Sequence, residues 1–140
     1  MKIATRTLVL VGIIAWVALI VATFIEGAYS ALWWSALASF FVAWVLTRII
    51  SRDLAEKRSA DLDEYEVTLR NRARNIGYWT AILGGAALLI ITSIFAGQAR
   101  DGDTSLLLHA PALILALILA ASATPTGVLA WDTPPRTDDA

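Results

Sequence analysis

The chain has 140 residues, a net charge of −1 and 58% hydrophobic residues, with a mean hydropathy of +0.66, whereas soluble domains are about 45–50% apolar. It has no cysteine and one histidine, which excludes a disulfide framework, thiolate metal sites and haem held by two histidines of one chain. No basic tract reaches the density a nucleic acid requires, and the aromatics lie in apolar runs, so no nucleic-acid partner is expected.

Lys2 and Arg6 precede an uncharged run over 7–25. About 20 apolar residues at 1.5 Å each cross a hydrocarbon core of ~30 Å, so this run reads as a first membrane span. A cleavable signal peptide has a shorter apolar core of ~7–15 residues, which argues against removal at Ala28-Tyr29-Ser30. Glu26 to Ser30 make a short connection, which sets the next apolar run, 31–50, antiparallel to the first.

Residues 51–77 form the one long polar interruption, with Arg52, Lys57, Arg58, Arg70, Arg72 and Arg74 among its charges. Apolar runs resume over 78–97 and 105–124, joined by a short turn at 98–104. Pro111 is expected to kink the fourth helix one to two turns in, and Pro125 with Gly127 to end it. The tail over 132–140 reads as a disordered end. The expected fold is therefore all-α: an integral membrane four-helix bundle built as two antiparallel hairpins, 1–140 forming a single membrane domain.

Basic residues set the orientation. With the N-terminus inside, Lys2, Arg6, Arg48, Arg52, Lys57, Arg58, Arg70, Arg72, Arg74 and Arg136 share the inner side, and only Arg100 lies outside. That asymmetry predicts N-in and C-in. Trp33 and Trp34 are expected at the outer interface, and Tyr78, Trp79 and Trp131 at the inner one.

Small residues recur at every fourth position of the second span (Ala31, Ser35, Ser39, Ala43, Thr47) and of the fourth (Ala112, Ala116, Ala120, Thr124). In lipid, such rows let helix backbones approach closely, so both read as packing seams. Ala81, Gly84 and Gly85 give the third helix a similar notch. The seams serve internal packing, self-association or docking on a larger membrane complex. At the outer face, Glu26 and His109 belong to a candidate polar cluster with Gln98, Arg100, Asp101 and Asp103. A histidine beside carboxylates could sense pH or hold a divalent metal, but solvated loop ends with one interfacial histidine are preferred, and no metal or cofactor is expected.

Within the connector, Leu62, Tyr65, Leu69, Ala73 and Ile76 recur at helical spacing and mark an amphipathic helix leading into the third span. Asp61, Asp63 and Glu64 suit its first turn, Asp63 with Glu66 resembles a capping box, and Glu66 with Arg70 forms an i,i+4 pair. Residues 51–60 then act as a hinge. Asp63, Glu64, Glu66, Arg70, Arg72 and Arg74 are the candidate contacts to lipid or a partner, the arginines lying near the membrane surface.

The block Asp63-Glu64-Tyr65-Glu66, Arg70-Asn71-Arg72-Ala73 and Gly77-Tyr78-Trp79 resembles a pattern in small, uncharacterised bacterial inner-membrane proteins of about four helices, with Tyr65 where their pattern has Arg. The resemblance implies a multi-pass protein of the bacterial inner membrane, with no catalytic residues to carry over. No nucleophile–base pair or phosphate loop is visible, and no Asp, Glu, Lys or Arg lies in the middle of a span, so an enzyme is not expected. The expected function is that of a non-catalytic accessory or structural subunit. A small oligomeric transporter or channel, or a sensor signalling through the 61–76 helix, is the alternative.

Overall fold

Glycine and serine punctuate the first half of the chain. Helix α1 (Lys2–Ile25) ends where Gly27 turns to φ +87°, and Tyr29 follows at φ +72°; a left-handed residue just past the last turn is a common helix stop. Ser30 starts α2 (Ala31–Ile50) as an N-cap, its Oγ accepting from the Trp33 backbone N–H at 3.2 Å. Helix α3 (Glu64–Arg100) follows, then a 3-10 turn (Leu106–His109) and α4 (Ala110–Asp132). This computed structural model describes residues 2–27, 29–50 and 64–132. The hinge over 51–60, Asp61 to Asp63, Ala28 and the tail beyond Asp132 lie outside the described residues.

All four helices are long and apolar enough to cross a membrane. The amphipathic segment and the third apolar run form one continuous helix of 37 residues, ~55 Å at 1.5 Å per residue. Its first turn holds Glu64 and Glu66, placed well for the helix dipole.

Helix α4 lies at the centre of the packing, touching α1, α2 and α3. One core cluster joins Ala15, Leu19 and Ala22 of α1, Trp33, Ala36 and Phe40 of α2, and Ala112, Ala116 and Leu119 of α4. Two indoles tie it together: Trp16 Nε1 donates to the Ala116 carbonyl at 2.8 Å, and Trp33 Nε1 to Thr23 Oγ1 at 3.2 Å. A second, smaller cluster holds Leu69, Ala73 and Leu129.

Several expectations change. Pro111 lies in the first turn of α4, directly after the 3-10 turn, whose Leu107 carbonyl accepts from the Ala110 N–H. Pro125 does not end α4, which continues to Asp132. A Cβ on Gly77 would stand 2.7 Å from Pro125 Cγ, so the glycine admits the ring. The added turn places Leu129 against Leu69 and Ala73, and this apolar contact offsets the lost backbone bond. Asp132, expected in the tail, is helical and lies 3.6 Å from Arg72. Trp33 is 1% exposed and belongs to the core, its Nε1 donating to Thr23 Oγ1.

Candidate functional site

The row on α2 divides. Ala43 and Thr47 are buried, while Ala31, Ser35 and Ser39 are exposed. The buried face is instead Trp33, Ala36, Phe40, Ala43 and Thr47, which advances by three and four residues alternately, the period of a helix packed on neighbours. A period-four row drifts off that face, so the part of the seam over 31–39 is not used within the chain. On α4 the row stays inside: Ala112 and Ala116 are buried and Ala120 is half-buried. On α3, Gly84 faces Leu117, whereas Gly85 meets nothing and Ala81 is exposed.

Of the candidate contact residues in the connector, Glu64, Arg72 and Arg74 are exposed, Glu66 is half-buried, and Asp63 lies outside the described residues. Arg70 is buried, at 6% exposure, and lies beside the stripe Leu69, Ala73 and Gly77 that packs on α4. Tyr65, placed on the apolar face by its spacing, is 59% exposed.

The His109 ring packs on Phe24 at 5.5 Å between centroids, and its buried Nδ1 has no hydrogen-bond partner among the described residues. Glu26 is exposed. Among the described residues no group of three or more side chains could hold a metal. Asp103 instead closes the turn before α4, accepting from Ser105 Oγ at 2.6 Å and from its backbone N–H at 2.9 Å. The side-chain bond first, then the backbone bond, hold its carboxyl below the ordinary range.

What the sequence pattern did not mark is a cleft. It has a volume of about 590 Å³ and lies between α1 (Leu8 to Trp16), α2 (Phe40 to Thr47) and α4 (Ala120 to Trp131), with Thr80 of α3 on its wall. Phe40 joins its lining to the larger core cluster, and Val128 joins it to the smaller one. The bundle is thus filled at two levels and open between them. Gly12 and Gly127 leave room on facing walls: a Cβ on either would meet only ordinary contacts, Ala43 Cβ at 3.7 Å and Val9 Cγ1 at 3.9 Å.

The cleft is chemically plain. Its three threonines direct their hydroxyls to their own helices: Thr47 to the Ala43 carbonyl, Thr80 to Ile76 and Thr124 to Ala120, at 2.7–2.9 Å. Trp16 donates to Ala116, and the buried Trp44 Nε1 has no acceptor among the described residues. Apart from the Trp44 indole, these polar groups are bonded to the wall itself and offer little to water, which needs two to four partners to stay in a buried site. Its lining residues are uncharged, and at one end the Arg6 guanidinium lies 5.0 Å over the ring of Trp131, a lining residue. Gly12, Trp16 and Trp44 carried the only signal of the cleft in the sequence, as a gap and two large rings within apolar runs. Comparison with protein-family models, with curated proteins and with solved structures finds no match.

Proposed function

We propose that the chain is a non-catalytic, multi-pass protein of the bacterial inner membrane, with both termini inside, acting as an accessory or structural subunit. The observation that carries this reading is the row Ala31, Ser35 and Ser39, which the chain leaves uncovered on α2. Ser35 Oγ donates to the Leu32 carbonyl and Ser39 Oγ to Ser35, both at 2.8 Å. The row is therefore small, smooth and already satisfied, which suits close approach by a second helix in lipid. Helix α3 adds support: 6% of its most apolar stretch is buried, against 22–28% in the other three helices, so most of its surface is available to lipid or to a partner.

Purification in mild detergent tests the reading. A second copy or a larger membrane complex should accompany the chain at fixed stoichiometry, and Ser39→Leu should release it without changing helix content. Ala116→Leu is the contrast, because Ala116 is buried under Trp16 and its enlargement should unfold the bundle itself. A monomer indifferent to Ser39→Leu would overturn the docking role.

A further inference from the structure

We infer that the cleft between α1, α2 and α4 seats one acyl chain of an anionic phospholipid, with Arg6 at its mouth holding the phosphate. The inference rests on the membrane reading above but concerns a different face from the α2 row. A cavity of about 590 Å³ falls within the ~300–1,000 Å³ typical of ligand sites. Left empty, its lining would forfeit the dispersion contacts that a close-packed interior makes.

Depth and charge select the occupant. From Leu8 to Trp16 the cleft follows α1 for ~12 Å at 1.5 Å per residue, close to the ~15 Å of a single leaflet in a ~30 Å hydrocarbon core. Arg6 lies at the end of α1 that carries the inner-side charges, two residues before Leu8, where the cleft begins. The Arg6 residue is exposed, with its guanidinium carbon 5.0 Å from the centroid of the Trp131 ring. A cation placed over an aromatic face keeps its charge and its five N–H donors, the fork with which arginine binds a phosphate. An apolar slot of leaflet depth with the Arg6 cation at its mouth is complementary to an acidic headgroup on a hydrocarbon tail. The self-bonded threonines offer nothing to a polar solute.

The test uses the full chain in phosphatidylcholine vesicles doped with phosphatidylglycerol brominated on its acyl chains, which quenches nearby tryptophan fluorescence. Trp16, Trp44 and Trp131 line the cleft. Brominated phosphatidylglycerol should out-compete brominated phosphatidylcholine for these indoles by about fivefold, the ratio that corresponds to about 1 kcal/mol per basic residue at an anionic surface. Arg6→Gln should remove that preference while leaving the cleft open. With Trp34→Phe and Trp79→Phe in place to remove the two most exposed indoles, Gly12→Leu should reduce the quenching by filling the cleft, whereas Gly12→Ala should retain it.

Equal quenching by the two lipids in the wild-type chain, or a preference that survives Arg6→Gln, would overturn the inference even if Gly12→Leu fails to fold. A chain that does not insert into the vesicles at all removes the membrane reading and this inference together. Insertion without lipid preference removes this inference alone.

Discussion

The Arg6 guanidinium stands 5.0 Å from the centroid of the Trp131 ring, so the first turns of α1 meet the last turn of α4. Asp132, the next residue, lies 3.6 Å from Arg72 on α3. The final turn of α4 thereby touches two other helices at one end of the bundle. The two contacts should differ in strength. A cation over an aromatic face is worth about 0.5–1 kcal/mol at an exposed site. A double-mutant cycle of Arg6→Gln and Trp131→Leu, read by thermal unfolding in detergent, should return a coupling of that size. The Arg72 side chain is 67% exposed, and such pairs contribute about 0–1 kcal/mol, so Arg72→Gln should have a smaller effect that vanishes at high salt.

Gly77 and Gly84 should respond differently to the same added methyl. At Gly77 the new Cβ meets Pro125 Cγ at 2.7 Å and Cδ at 3.1 Å, atoms of a ring fixed to the backbone. At Gly84 it meets the Leu117 Cδ1 methyl, the far end of a side chain that can rotate. Overpacking costs about 1–3 kcal/mol, so Gly77→Ala should lie near the top of that range and Gly84→Ala near the bottom. Adding Leu117→Ala should relieve the clash in Gly84→Ala, and no comparable relief should follow for Gly77→Ala. Unfolding in mixed micelles measures all three.

Trp33→Phe isolates one hydrogen bond from a large packing contribution. It removes the Nε1 donor to Thr23 but leaves Thr23 Oγ1 bonded to the Leu19 carbonyl at 2.9 Å. No buried group is orphaned, so the loss should be about 0.5–1.5 kcal/mol. Trp33→Ala, which empties a site that is 1% exposed, should cost about 3–5 kcal/mol. Equal losses would mean that the ring contributes little packing.

Asp103 supplies a pH test outside the apolar helices. Its folded-state carboxyl is held below the ordinary range by the bonds from Ser105. A depressed acid contributes stability that is fully present above its unfolded pKa and is lost as the pH falls through the lower, folded value. NMR titration should therefore find the Asp103 midpoint below that of an unstructured aspartate. Ser105→Ala, which deletes the side-chain bond named as the larger cause, should raise it. A midpoint unmoved by that change would show that the turn does not hold the carboxylate.

Local pattern was enough for the helices and insufficient for their limits. Composition and run length locate four apolar helices, and the 61–76 periodicity points to a helix leading into the third. Each depends only on residues near in sequence, since a helix closes its hydrogen bonds within four positions. Where α4 ends depends on a distant glycine: Pro125 is a stop signal until Gly77 makes room for its ring and Leu129 finds Leu69 and Ala73. Arg70 looked like a surface charge for the same reason, because spacing shows which residues share a stripe but not which stripe a neighbour covers.

By itself, then, the sequence determined the all-helical class and the number of apolar helices. Tertiary structure alone decided which half of the α2 row is covered, where α4 stops and where the bundle stays open. The reason is physical. Helix formation is a property of one segment, whereas a seam, a stop overridden by packing and a cleft exist only between segments. Gly12 and Gly127 show the difference: each is merely a small residue in its own helix, and together they leave the space that Arg6 overlooks.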